Sequence, residues 1–237
     1  MLPFSRDQFL AVFAAYNQSI WPAQLLALAL GVAIIYAVVR QTKWAGVLAS
    51  LGLGATWLWT GLFYHLAFFS SINGAAYVFG AGFLLQGLLF LRAATRRDLE
   101  FGNAPRFRNY VGYFLLTYAV VLYPLIGIFF GHSLAELPAF GVTPCPVTIF
   151  TFGVLLLATR RVPVVLLVVP LLWSLIGGSA AFLLDIPQDW LLLVSGVASL
   201  ALLTILDRER TRPPRKHRRR HNIAHACSPT FHGQSTT

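Results

Sequence analysis

Seven long apolar runs divide the sequence, and short polar gaps separate them. The runs cover residues 21–39, 44–69, 74–91, 110–130, 140–159, 162–184 and 190–206. Each is close to the roughly 20 residues that a helix needs to cross the hydrocarbon core of a bilayer. The runs are nearly continuous rather than alternating, and backbone polar groups must be paired within lipid. The pattern therefore predicts an all-α, polytopic transmembrane helical bundle with seven spans.

The basic residues predict the orientation of this bundle. Every second gap contains Lys or Arg, and so does the segment after the last run, whereas Arg6 is the single basic residue on the other side. Cytoplasmic loops retain Lys and Arg, and short exported loops avoid them. We therefore expect the N-terminus outside and the C-terminus inside.

Composition supports a membrane protein with three parts. The chain is 57% hydrophobic and only 11% charged, too little charge to cover the surface of a soluble domain of 237 residues. We expect an outer interfacial segment at 1–20, a seven-helix domain at 21–206 and a basic tail at 207–237. The net charge of +10 is concentrated in the tail, so it favours anionic lipid headgroups as partners rather than nucleic acid.

The tail also contains His217, His221 and His225, at intervals of four residues. Histidines at this spacing on a helix can hold zinc. Dense arginines and prolines instead favour a disordered cytoplasmic tail that touches lipid, and we prefer this interpretation.

The first twenty residues have a pattern of their own. An apolar stripe recurs at helical spacing, and Ser5 stands where an N-cap would be. The stripe contains Phe4, Phe9, Leu10, Phe13, Tyr16 and Ile20. Such a helix is expected to lie in the outer interface or over the mouth of the bundle rather than to cross it.

A few matches at fixed offsets indicate an internal repeat. Trp59 and Gly82 recur 114 positions later as Trp173 and Gly196. Spans 1–3 and 5–7 would then be parallel repeats joined by span 4, a 3+1+3 layout that occurs in transporters. Apolar sequences also match by chance, so both interpretations stay open.

Several short strings resemble a known bacterial family. They are Leu2-Pro3-Phe4, Tyr16-Asn17, Trp21-Pro22, Gly141-Val142-Thr143-Pro144-Cys145-Pro146 and Pro187-Gln188-Asp189. The family is that of multi-pass membrane proteins listed as domain of unknown function 6064 (DUF6064), and the resemblance extends to about Arg210. It implies a helical bundle in the bacterial inner membrane. It implies no activity and no functional residues.

Aromatic and polar side chains are concentrated in the outer half of the predicted bundle, which favours an outward-facing pocket. Interfacial aromatic belts would give part of the same pattern. The candidate pocket residues are Trp59, His65, Tyr123, Cys145 and Trp173.

Two of these candidates have simpler explanations, which we favour. Cys145 stands between Pro144 and Pro146, where either a broken helix would form a binding element or the prolines would only kink the helix entry. His65 lies near the outer end of its span, where it could bond headgroups or water.

Asp185 and Asp189 flank the last outer loop. Two carboxylates four residues apart could gather a cation or serve acid and base chemistry. We favour loop acids, with Asp189 capping the last span.

These observations limit the possible functions of the protein but do not identify one. The sequence contains no catalytic motif, metal motif or cofactor motif that we identify, so we expect a protein that is not an enzyme and has no cofactor. A permease-like transporter of a small solute is one hypothesis. A non-catalytic membrane scaffold or stress-related interaction protein is the alternative. The sequence predicts no oligomeric state.

Overall fold

The computed structural model describes residues 3–102 and 105–211, and these residues fold into helices. The helices are α1 (Arg6–Ser19), α2 (Ala23–Val39), α3 (Ala45–Ser71), α4 (Ala76–Arg96), α5 (Arg106–Phe129), α6 (Pro144–Leu157), α7 (Val165–Leu183) and α8 (Trp190–Thr211). The described residues contain no β-strand, only one isolated bridge between Phe101 and Ala158. Each of the seven apolar runs contains one helix, α2 to α8. The prediction of an all-α fold is confirmed.

Five of these helices are long and apolar enough to cross a membrane within the described residues. They are α3, α4, α5, α7 and the segment Pro187–Thr204, which includes most of α8. A sixth span results if α1 and α2 are counted together, although the two helices meet at an angle of 87°. These helices are typical of a multi-pass membrane protein. The structure thus supports five to six spans rather than the seven predicted.

Helix α6 is the shortest of the seven apolar helices and forms the centre of the bundle. All 14 residues of Pro144–Leu157 are buried. The helix packs against α3, α5, α7 and α8. The indole N–H of Trp57 on α3 donates to the Thr151 hydroxyl at 2.9 Å, and this hydroxyl in turn donates to the carbonyl of Val147 at 2.8 Å. A helix with no lipid-facing side is apolar all round, which explains why its hydropathy pattern is the same as that of a span.

Glycines allow two helix pairs to approach closely. On α3 and α4, a Cβ added at Gly54 would lie 3.2 Å from the carbonyl oxygen of Gly87. On α5 and α6, a Cβ added at Gly153 would lie 3.0 Å from the carbonyl oxygen of Gly112. Small residues at such crossings are the usual means by which membrane helices pack backbone to backbone.

Two helices contain π-helical segments. Thr60–Phe68 in α3 forms a π-helix of nine residues, and Tyr118–Leu122 in α5 forms one of five. π-Helical turns are rare, occur mostly as single-turn bulges, and are frequent at functional sites. Both segments lie toward the same end of the bundle.

Helix α1 covers this end, which we call the α1 end. The Ser5 hydroxyl accepts from the backbone N–H of Gln8, and the Gln8 side chain accepts from the backbone N–H of Ser5, so the predicted N-cap is part of a capping box. Phe13 and Tyr16 are buried against the bundle. The expectation of a helix over the bundle mouth agrees with this arrangement.

Candidate functional site

A cavity of about 300 Å³ lies beneath α1. Three phenylalanines of the N-terminal segment, Phe4, Phe9 and Phe13, form one wall of the cavity. The other lining residues that matter here are Tyr64, Phe69, Phe79, Cys145, Trp173 and Asp189, from α3, α4, α6, α7 and the turn before α8. The cavity is thus apolar, with seven aromatic side chains among its lining residues and a carboxylate and a thiol among its few polar groups.

The carboxylate of Asp189 is the polar centre of this site. Asp189 is only 3% exposed, its carboxylate accepts a hydrogen bond from the Tyr123 hydroxyl, and the Cys145 thiol lies beside it. Tyr64 and Tyr118 lie near the same carboxylate. Hydrogen-bond donors are what a buried carboxylate requires, because desolvating it without partners is costly.

His65 forms a second polar group, one layer behind the cavity wall. Its ring is fully buried, with centroids 4.6 Å from the Phe83 ring and 5.0 Å from the Trp173 ring. Neither ring nitrogen has a hydrogen-bond partner among the described residues. The expectation that His65 bonds headgroups or water is therefore wrong, because aromatic side chains enclose it.

Local backbone features position these side chains. Tyr64 and His65 lie in the π-helix of α3, and Tyr123 follows directly after the π-helix of α5. A π-turn rotates the following side chains relative to a regular α-helix, so the two segments aim these residues toward the site. On α6, Pro144 and Pro146 lie in the first turn, where the missing N–H groups cost little. The helix therefore begins regularly at Pro144, and Cys145 faces the cavity without a broken helix.

The turn before α8 separates the two loop aspartates. Asp185 is exposed and has a φ of +54°, whereas Asp189 ends a short 3-10 turn, Pro187–Asp189, that points its carboxylate into the bundle. The expectation of a loop acid holds for Asp185 and is wrong for Asp189. Tyr118 donates to the carbonyl of Gln188 at 2.8 Å and holds this turn against α5.

Hydrogen bonds fasten α1 over the cavity. The Tyr16 hydroxyl donates to the carbonyl of Val142 at 2.7 Å and accepts from the indole N–H of Trp59 at 2.9 Å. The Asn17 side chain donates to the carbonyls of Ala135 and Leu137, at 2.7 and 2.8 Å. Helix α1 is therefore attached to the loop before α6 as well as to α3.

Among the five predicted pocket residues, Cys145 and Trp173 line the cavity. Tyr123 lies behind Asp189, and His65 lies behind Trp173. Trp59 is elsewhere: it contacts Tyr16 and borders a smaller cleft of about 170 Å³. The structure thus brings four of the five candidates together around one site and leaves Trp59 at its edge.

Sequence reasoning missed the contribution of the N-terminal phenylalanines. They were identified as an apolar stripe, but nothing in the sequence paired the stripe with a cavity. The apolar stripe with its N-cap was the available signal, because such a helix needs an apolar surface to cover.

No cluster of three His, Cys, Asp or Glu side chains suitable for a metal ion occurs within residues 3–102 and 105–211. The tail histidines at 217, 221 and 225 lie outside the described residues.

The sequence matches one family model over residues 6–214, and this model is described as a family of unknown function, DUF6064. The chain belongs to this family. No protein of curated function and no solved structure matches this DUF6064 chain. The site must therefore be interpreted from its own chemistry.

Proposed function

We propose that this DUF6064 protein binds a small solute in the cavity beneath α1 and moves it across the membrane, in the manner of a permease. The observation that carries the proposal is the cavity itself, with aromatic walls, a buried carboxylate and a hydrogen-bonded cover. Binding sites for small molecules are mostly apolar concave pockets with a few polar groups that fix the orientation of the ligand.

The size of the cavity limits the solute. A volume of about 300 Å³ is at the lower end of the range of roughly 300–1,000 Å³ that is usual for ligand pockets. We infer a solute of metabolite size rather than a peptide, a nucleotide or a lipid with two chains.

The attachment of helix α1, which covers the cavity, supports solute entry at the α1 end. Helix α1 is short, lies at 87° to α2, and is attached by side-chain hydrogen bonds whose net contributions are about 1 kcal/mol each. A few such bonds can break and re-form on the timescale of loop and lid motions.

The finer topology is part of the same proposal. We infer that the α1 end faces outward, since the basic residues lie in the gaps at the other end, and that the protein lies in the bacterial inner membrane. Seven spans would require α6 and α2 to count as spans in addition to the five long helices. The 3+1+3 repeat is supported by the packing of α3 on α4 and of α7 on α8.

A ligand screen followed by flux tests this proposal. Purified full-length protein is screened by thermal shift against sugars, amino acids, amines, metal ions and lipids, and stabilising solutes are then tested for uptake into proteoliposomes. We expect stabilisation and uptake, and we expect Ala180→Phe, which fills the cavity, to abolish both. Ala29→Phe places the same ring on the exposed face of α2 and should change neither.

Two results would contradict the proposal. One is that none of the solutes stabilises the protein. The other is that Ala180→Phe and Ala29→Phe give the same stabilisation and uptake as the unmodified protein. Co-purification of a partner protein without stabilisation or uptake would instead support the alternative, a membrane scaffold.

A further inference from the structure

The charge of Asp189 is not balanced by any side chain that the structure describes near it. Among residues 3–102 and 105–211, Asp189 has no basic group within 4 Å. The salt bridge between Arg160 and Glu100 lies elsewhere, on the exposed surface. The groups around its carboxylate are hydroxyls and a thiol. The hydrogen bond from Tyr123 lowers the cost of burying an ionised carboxylate, and a cation beside it would lower this cost further.

The aromatic walls of the cavity also favour a cation. The faces of aromatic rings carry negative potential, and they attract cations within about 6 Å, most strongly for tryptophan. Trp173 contacts the rings of Phe79 and Phe83, at centroid distances of 5.4 and 5.2 Å. Phe9 contacts the rings of Phe13 and Phe69, at 4.9 and 6.1 Å. Phe9, Phe13, Phe69, Phe79 and Trp173 line the same cavity as Asp189, so aromatic rings and the carboxylate border one space.

We propose that the solute is a small organic cation, whose substituted ammonium group lies between Asp189 and the aromatic walls formed by Trp173 and the N-terminal phenylalanines. This inference rests on the proposed function and names its substrate class. Aromatic cages with one carboxylate are a general means of recognising methylated ammonium groups. Asp189 provides the counter-charge, and the rings replace the water that a methylated ammonium group holds only weakly.

Other solute classes fit the site less well. Calcium takes six to eight oxygen ligands, and magnesium requires a near-octahedral oxygen shell. The site offers one carboxylate with a phenol and a thiol beside it, and the phenol donates to the carboxylate. An anion would be repelled by Asp189. A neutral solute would leave the carboxylate without a counter-ion.

A pair of probes with the same shape tests this inference. Choline and 3,3-dimethylbutan-1-ol have the same branched head and the same hydroxyl, but only choline is charged. Binding to purified full-length protein is measured by calorimetry at pH 7. We expect choline to bind at least tenfold more tightly than the alcohol.

Two variants test whether Asp189 causes the preference for choline over the alcohol. In Asp189→Asn, choline affinity should fall at least tenfold while the affinity for the alcohol stays within about twofold. In Asp185→Asn, which removes the exposed aspartate four residues earlier, both affinities should be unchanged. Asparagine also tolerates the positive φ at position 185, so this control introduces no backbone strain.

The outcomes separate this inference from the proposed function. If the alcohol or another neutral solute binds as tightly as choline, or if Asp189→Asn keeps the preference for choline, the inference is wrong and the binding site remains. If no solute of any class binds, the proposed function fails as well. The comparison of the two probes uses the unmodified protein, so it decides the question even if Asp189→Asn does not fold.

Discussion

Tyr123 and Asp189 lie 66 positions apart in the sequence, and their side chains meet in the interior of the bundle. Both are buried, and Cys145 completes the group around the carboxylate. The energetic importance of each donor follows from burial, since a buried polar group that loses its partner retains the cost of desolvation. Residues at this site should therefore affect stability as well as binding.

Removal of the Tyr123 hydroxyl tests this directly. Tyr123→Phe keeps the ring but takes one donor from the buried carboxylate, so we expect a loss of about 1–3 kcal/mol in the free energy of unfolding, measured in detergent. Tyr77→Phe is the matched control, because Tyr77 is 61% exposed and should tolerate the change with almost no loss. Equal effects of the two substitutions would show that the hydroxyl of Tyr123 makes no net contribution.

Only some of the residues at this site could be predicted from the sequence. Trp173 and Cys145 were identified as pocket residues because polar and aromatic groups within apolar runs are conspicuous. The burial of Asp189 was missed, because it depends on a 3-10 turn whose geometry the string Pro187-Gln188-Asp189 does not reveal. The environment of His65 was missed for a similar reason, since a π-helix shifts its direction.

At the scale of single helices, close crossings determine the packing of the bundle. Glycines occur throughout the apolar runs, and the structure distinguishes those at crossings from those in open positions. Gly153 on α6 faces the backbone of α5, whereas a Cβ added to Gly82 on α4 would have only Val169 within 4 Å, at 3.8 Å. The same substitution should therefore have opposite effects at the two positions.

Gly153→Ala should lower the melting temperature, because its new Cβ would press against the carbonyl oxygen of Gly112 at 3.0 Å and the side chain of Leu116 at 2.9 Å. Overpacking of this kind costs about 1–3 kcal/mol. Gly82→Ala should leave the melting temperature unchanged or raise it, since alanine is the better helix former by up to about 1 kcal/mol. Thermal unfolding of both variants checks the prediction, and an equal shift in the same direction would contradict it.

Helix α1 provides a second test at this scale. Asn17→Ala removes two hydrogen bonds that hold α1 to the loop before α6, so the cavity should open more often. The readout is the rate at which N-ethylmaleimide alkylates Cys145, in protein whose Cys227 has been replaced by serine. At about 1 kcal/mol for each hydrogen bond, the rate should rise roughly thirtyfold.

Gln18→Ala is the control for this experiment. Gln18 also carries a side-chain amide and directly follows Asn17, but it is exposed. Its replacement should leave the alkylation rate unchanged. A rate that is the same in all three proteins would mean that α1 does not limit access to the cavity.

The helices could be predicted from the sequence, whereas the extent to which each is buried in the bundle could not. Each apolar run forms a helix, because backbone N–H and C=O groups in an apolar environment must be paired within the segment. The runs for α6 and for α7 look alike, yet α6 is enclosed on every side and α7 has exposed apolar residues such as Leu172 and Leu183. Lipid and protein interior are both apolar, so hydropathy alone does not separate them.

At the scale of the whole molecule, the two ends of the bundle differ. At the end opposite α1, the backbone N–H of Thr159 donates to the carbonyl of Glu100 at 2.7 Å, and the guanidinium of Arg108 donates to the carbonyl of Ala158. The α1 end instead contains the cavity and a cover held by side chains. This asymmetry supports the proposal that a solute enters the cavity from one side.

The most direct test of this account is whether a solute occupies the cavity. Cys145 lines the cavity and serves as the reporter, in full-length protein with Cys227 replaced by serine, reconstituted into liposomes. Alkylation of Cys145 by N-ethylmaleimide is measured with and without saturating choline. The account predicts that choline slows the alkylation severalfold and that 3,3-dimethylbutan-1-ol at the same concentration does not. An alkylation rate that neither choline nor any stabilising solute from the screen changes would contradict it.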